Sequence, residues 1–302
     1  MPLHRRVHFR RTDHWRRPTH RTVVSTVALV FMASTMAAAQ QPVYRSSVDL
    51  IVVYPTVRTE SGRFVTGLKP GDFLITDNGA PVEIAAFSND PQPLRVVMLL
   101  DMSESMRPHL VDVRKAAAAF VDSLAEQDRL RLGTFGHEVA LSPHSTSDKS
   151  ILRRVLREEV WPGGRTPLWQ ALHEAAAALD GEAGRKVILL VSDGNDHSEW
   201  SRSAALERLR RSEVLTYAVT LNGTALHWEF RRFLAKTGGT HISLPRGGDL
   251  ARAMTAIADE LRHQYMIGFV PTAMDGAWHR LTVAVPTGRH VVKAPQGFEA
   301  RR

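Results

Sequence analysis

Two carboxylates and three hydroxyls, spread over three short stretches, carry the chemistry this sequence offers. Residues 96–108, VVMLLDMSESMRP, run five apolar side chains into Asp101, Ser103 and Ser105 with no glycine to ease the turn. A second apolar run, VILLV, ends on Ser192-Asp193-Gly194-Asn195-Asp196. Between them the Gly-rich loop WPGGR places Thr166 directly before Pro167 and an Ala-rich helical pattern. An Asp and two Ser after a greasy strand suit a capped helix start, a phosphate cradle, a nucleophile or a metal site. Singly, Ser103 is a good helix cap and so is Thr166. Taken together, Asp101, Ser103, Ser105, Thr166 and Asp193 are five oxygen donors able to meet at one end of a sheet.

The elements that must hold them there are legible from hydrophobic periodicity. RVVMLL and VILLV are short unbroken apolar runs, as expected of parallel strands buried on both faces. Between and after them, strand patterns (DRLRLGTFG, VLTYAVTL, THISL) alternate with helical ones. In HLVDVRKAAAAFVDSL, Leu110, Val113, Ala117, Phe120, Val121 and Leu124 share one face. SDKSILRRVLREEV, PLWQALHEAAAALD, SRSAALERLRRSE, EFRRFLAKTGG and DLARAMTAIADELRH are also helical, with Pro167 suited to a first turn. EVALSP reads as a paired partner of the strand before it. The alternation predicts a doubly wound, mostly parallel α/β sheet, in which ligands bind outside the carboxyl ends of the strands.

The flanks are β in character. VDLIVVYPTV, DFLITD and VEIAAF read as strands, with Pro55 disfavouring a central position and Asn78-Gly79 marking a tight turn between the last two. QYMIGFV, HRLTVAV and HVVKA return to β after Gln264, a tail too small to fold alone and expected to pair with the earlier β segment. The expected organisation is a leader over 1–39, a β segment over 40–92, the α/β domain over 93–263 and a C-terminal β segment over 264–302.

The sequence has 302 residues and a net charge of +8, but residues 1–39 hold seven Arg and one Asp. That leaves 32 basic against 30 acidic residues, so no basic patch for nucleic acid is implied. The basic leader, the apolar run VVSTVALVFMASTMAAA and the Ala37-Ala38-Ala39 cleavage pattern predict export, with a mature start near Gln40. Export would deliver the protein to the periplasm, cell envelope or exterior; a membrane association arises only if that segment stays uncleaved as an anchor. The chain has no cysteine, which removes disulfides, thiol nucleophiles and thiolate metal sites.

Rival chemistries lack their parts. Aspartyl phosphatases want a second Asp two positions after the first, and position 103 is Ser. A Ser hydrolase wants G-x-S-x-G, absent here, as are H-E-x-x-H and the G-x-x-x-x-G-K-[ST] phosphate loop. His109, His137, His173 and His197 are scattered, as surface or satisfied histidines are. Of the tryptophans near the candidate loops (Trp161, Trp169, Trp200), Trp169 suits the core and Trp200 is a candidate partner contact.

DMSES, the isolated Thr166 and VSDG, in that order, resemble the D-x-S-x-S, Thr and Asp elements of the von Willebrand factor A (VWA) domain, over roughly 93–262. The flanks resemble the arms around such domains in a bacterial group first described in acidobacteria. One departure is Glu104, where Gly is common. The resemblance implies a metal-ion-dependent adhesion site (MIDAS), with Ser103, Ser105 and Thr166 as hydroxyl ligands and Asp101 and Asp193 ligating directly or through water. Such donors suit a hard ion, Mg²⁺, Mn²⁺ or Ca²⁺, left electrophilic enough to take a Glu or Asp carboxylate from a protein partner. The implied role is binding, not catalysis; the alternatives are a metal-dependent hydrolase or a structural domain with a vestigial site. A carboxylate at Glu104 stands to compete with the partner's.

Overall fold

Alternation of side chains along two central strands builds the core on both sides of one sheet. The computed structural model describes residues 50–158, 160, 162–197 and 199–301, all within one compact unit. The predicted leader, the first residues of the β segment and Trp161 lie outside the described residues. The strands are β1 (Ile51–Val53), β2 (Thr56–Thr59), β3 (Leu74–Asp77), β4 (Ala80–Pro81), β5 (Ile84–Ser88) and β6 (Leu94–Asp101). They are followed by α1 (Leu110–Ser123), β7 (Arg129–Phe135), β8 (Val139–Leu141), α2 (Lys149–Glu158), α3 (Leu168–Ala177) and β9 (Arg185–Ser192). Then come α4 (Arg202–Arg211), β10 (Leu215–Thr220), α5 (Trp228–Thr237), β11 (Thr240–Ser243) and α6 (Leu250–Arg262). The tail holds β12 (Met266–Phe269), β13 (Trp278–Ala284), β14 (His290–Lys293) and β15 (Gly297–Glu299).

The main sheet runs β11-β10-β9-β6-β7-β8, parallel throughout except for β8, which pairs antiparallel with β7. Successive side chains of a strand face opposite ways. Val96, Met98 and Leu100 of β6 and Val187, Leu189 and Val191 of β9 therefore join a core with α1, α2 and α6. Val97, Leu99, Ile188 and Leu190 join a second core with α3, α4 and α5. This is a doubly wound α/β fold. The chain leaves β6 toward β7 on one side while β9 lies on the other, so the order reverses between β6 and β9. A crevice at that reversal is where such sheets bind ligands.

Strands from before and after this domain interleave beside it. β12 lies between β1 and β5, β13 between β15 and β3, and β14 pairs with β2. Val53, Val57, Ile75, Ile267, Phe269 and Leu281 are among the residues of their shared core. The run 51–59 breaks at Pro55, which has no N–H for a ladder, and its halves enter different sheets. Asn78 and Gly79 both have positive φ, 50° and 89°, and make a tight turn. Its partner, however, is the short β4 and not the VEIAAF strand, which crosses to the β12 sheet. Among the described residues no helix is long and apolar enough to cross a membrane.

Candidate metal centre

β6 and β9 end level with each other, and the site starts at that edge. The register pairs Leu100 with Val191, bringing Asp101 beside Ser192. Ser192 Oγ donates to Asp101 Oδ2 at 2.6 Å, and the Ser103 N–H donates to Asp101 Oδ1 at 2.9 Å. Both carboxylate oxygens of Asp101 are thereby fixed, and the residue is fully buried. The second bond folds the chain back on itself, a local turn that short acidic side chains make without glycine. That is how the strand turns directly into DMSES.

Beyond this turn a chain of hydroxyls reaches the second carboxylate. Ser103 Oγ and Ser105 Oγ are 3.1 Å apart, and Ser105 Oγ donates to Asp193 Oδ2 at 2.6 Å. Asp193 Oδ1 accepts from the Asn195 N–H at 3.1 Å. Ser103 begins a 3₁₀ turn, Glu104–His109, but makes no side-chain cap bond there. Asp101, Ser103, Ser105 and Asp193 thus form one hydrogen-bonded string from β6 to the end of β9.

Thr166 arrives on a loop stitched to both sides of that string. The Gly163 N–H donates to the Met102 carbonyl at 2.6 Å and the Glu104 N–H to the Gly164 carbonyl at 3.3 Å. The His197 N–H donates to the Thr166 carbonyl at 3.0 Å. Thr166 itself is buried. The approach is close enough that a Cβ on Gly136 would run into the Gly163 carbonyl, and one on Gly164 into the His137 backbone.

Two contributors escaped the motif. Ser192 orients Asp101 while accepting from the Gly194 N–H at 2.9 Å. Aligning VVMLLD with VILLVS as neighbouring parallel strands brings Asp and Ser to the same level, a signal that was available in the sequence. Asp196 Oδ1 accepts the Leu168 N–H at 3.0 Å, so this carboxylate serves the start of α3 and ties the two loops together. Nothing short of the tertiary fold pairs Asp196 with Leu168. Glu104 points to Arg107, which donates to both its carboxylate oxygens at 2.6 and 2.8 Å. That pairing holds the Glu104 carboxyl below its ordinary pKa. Trp169 is buried edge-on to Phe230, and Trp200 is exposed beside the ring of His173.

Burial, reinforced by the charge of Asp193, pushes the Asp101 carboxyl above the usual range, against hydrogen bonds from Ser192 and Ser103 that favour its anion. The groups that hydrogen-bond to Asp101, the Ser103 N–H and the Ser192 hydroxyl, are both neutral. A buried carboxylate held this way is relieved by a cation. The donors on offer are oxygens only, two of them carboxylate and the rest neutral hydroxyl, a set that fits a hard divalent ion. Among the described residues no three His, Cys, Asp or Glu side chains cluster as a metal-ligating group. Hydroxyls would have to complete any coordination.

The fold and site define an α/β domain with an oxygen-donor cluster at the switch point of its sheet. Residues 96–195 match the von Willebrand factor type A domain family, and this chain carries a domain of that family. A von Willebrand factor type A protein from Catenulispora acidiphila superposes with a TM-score of 0.53 at 12% identity, over 80% of this chain and 74% of that one. Proximal thread matrix protein 1 from the mussel byssus, in a structure with a zinc-occupied MIDAS motif, gives 0.51 at 17% identity. That match spans 60% of this chain and 48% of the mussel protein. At these identities the likeness is one of fold. No curated protein matches significantly in sequence.

Proposed function

We propose that this is an exported binding module that holds a divalent ion at Asp101, Ser103, Ser105, Thr166 and Asp193, and through it an acidic residue of a protein partner. The observation that carries the reading is the hydrogen-bonded string from Asp101 through Ser103 and Ser105 to Asp193, at the sheet's switch point. The zinc-occupied site of the mussel protein, on the same fold, supports it. Bound there, Mg²⁺, Mn²⁺ or Ca²⁺ would supply an electrophilic position for an incoming Glu or Asp carboxylate. Ser192 and the Ser103 N–H aim Asp101, while Asn195 fixes Asp193. The hydroxyls add donors without adding negative charge, so the site keeps its attraction for acidic partners. The role proposed is binding. Export rests on the basic and apolar leader.

Calorimetric titration with Mg²⁺, Mn²⁺ and Ca²⁺, followed by affinity capture from the source cell envelope with and without chelator, tests this. Capture that needs the ion and fails for Asp101→Ala, with the variant still folded by circular dichroism, is the expected result. Absence of ion binding at millimolar concentration would leave a vestigial site, and metal-dependent turnover of phosphoester or peptide substrates would make the domain a hydrolase.

A further inference from the structure

Away from the metal centre, a groove of about 630 Å³ runs between α4 and α5 toward β13. Leu206 and Phe233, both partly covered by the core, are among its apolar residues. Trp228, at the first turn of α5, and Trp278, on β13, also line it, 57% and 41% exposed. Large apolar side chains left in water around a concavity mark binding surfaces, and Trp with Arg is the composition of interface hot spots.

The charges in the groove are unequal. Its two carboxylates are both engaged: Glu229 accepts from Arg202 at 2.5 Å, and Glu207 accepts from Arg210 and Arg211, each at 2.7 Å. Arg210 is also paired with Glu299. Two lining cations remain, Arg232 and Lys236. Neither forms an ion pair among the described residues, and Lys236 Nζ lies 5.5 Å from the centre of the Trp278 ring. They stand four apart on α5, so their Cβ atoms are about 5–6 Å apart. Alternate side chains of an extended strand repeat at about 6.6–6.8 Å, about 1 Å wider, a difference that the long Arg and Lys side chains can take up.

We infer that this groove binds an extended acidic segment of a partner protein. Carboxylates two residues apart meet Arg232 and Lys236, and flanking apolar side chains reach Trp228 and Trp278. From Trp228 to Thr237 the helix rises about 14 Å, the span of about four extended residues. A concave groove with its free cations in a row suits a discrete peptide better than a flat anionic membrane. The inference is independent of the metal site, because none of the five proposed ligands lines the groove.

Selection from a random dodecapeptide display library on the immobilised protein, with chelator present throughout, tests it without any contribution from the metal centre. Enriched peptides should carry an acid-x-acid core with an adjacent aromatic or aliphatic residue. A labelled consensus peptide should bind Arg232→Glu/Lys236→Glu at least about tenfold more weakly, since each tenfold is about 1.4 kcal/mol, and should weaken as salt rises. Trp228→Ala is a second arm, and coincident thermal melts show each variant to be folded. Failure to enrich acidic peptides overturns the proposal, as does unchanged affinity in the charge-reversed variant. Binding of phosphatidylglycerol vesicles that the reversal abolishes, with no peptide selected, would make the surface a membrane contact instead.

Discussion

The Ser105 hydroxyl donates to Asp193 Oδ2 at 2.6 Å, joining the turn after β6 to the end of β9 across 88 residues of chain. Ser105 is exposed whereas Asp193 is buried, so the bond is a strap laid over the site from outside. Ser105→Ala removes the strap and one proposed ligand at a time when water can replace the lost partner. Its stability cost should be about 1 kcal/mol, while affinity for Mg²⁺ or Mn²⁺ should fall by about tenfold or more. Parallel melts and calorimetric titrations separate the two; equal metal affinity would remove Ser105 from the ligand set.

Asp101→Asn keeps the shape of a fully buried side chain and removes its charge. Its amide can still accept from the Ser103 N–H and donate to Ser192 Oγ. In chelator the variant should melt at or above the wild-type temperature, because an ionised group no longer has to be buried. With metal at 100 times its Kd the wild type should gain about 2.7 kcal/mol, and the variant almost none. A metal-induced rise in Tm as large in the variant as in the wild type would place the ion elsewhere.

Glu104 occupies a position from which it can repel an incoming carboxylate, yet it is engaged by Arg107 on both oxygens. Both side chains are more than half exposed, so the pair contributes little to stability. Arg107→Ala frees the Glu104 carboxylate beside the site and should weaken capture of an acidic partner. Glu104→Ala/Arg107→Ala should restore it. Association rates at low salt are the measurement, and additive effects in the double-mutant cycle would refute this shielding.

The sheet and much of the site could be read from residue types, and the reasons are local. RVVMLL and VILLV are apolar on both faces because both faces carry helices, so the central strands announce themselves. The DMSES turn needs no glycine because Asp101 accepts its own turn's N–H. What stayed hidden depends on partners far along the chain. Asp196 takes the Leu168 N–H, 28 residues away, only because two loops converge. In the β flanks the turn at Asn78-Gly79 was legible, but its pairing with β4 was not. On α2, Ile151 matches the apolar spacing yet is 41% exposed, whereas Leu152 and Leu156 are buried. Spacing finds a stripe, and only packing sets its width.

The seam between α4 and the last strand predicts an acid-sensitive step. Arg210 and Arg211 hold the Glu207 carboxyl down to about 2, and Arg210 with Arg301 lowers that of Glu299. Depressed carboxyl groups stabilise the fold above their unfolded pKa and lose that contribution as pH falls toward the folded value. The loss therefore belongs between the ordinary glutamate range and about pH 2. Glu207 is partly exposed, so each pair contributes well under 1 kcal/mol after screening. Glu207→Gln/Glu299→Gln should have a lower Tm than the wild type at neutral pH, and a shallower decline in acid. Superimposable pH profiles would show that the seam contributes nothing.

Gly164 tests whether the Thr166 loop is held by backbone geometry. Its φ is +85°, and a Cβ there would penetrate the backbone of His137. Gly164→Ala therefore meets both strain and a clash, and it must shift the loop that carries Thr166. Gly223, with φ +73° and nothing within 4 Å, isolates the strain alone, at about 1–2 kcal/mol. Gly163 has ordinary φ, and its Cβ would meet only the His137 ring at 3.2–3.3 Å, a contact that a side chain can yield. Gly223→Ala should lower Tm without changing metal affinity, and Gly163→Ala should change both slightly. Gly164→Ala should cost the most stability and, in protein still folded at low temperature, metal affinity as well. Full metal affinity in folded Gly164→Ala would mean that Thr166 is not needed at the ion, reducing the ligand set to the Asp101, Ser103, Ser105 and Asp193 string.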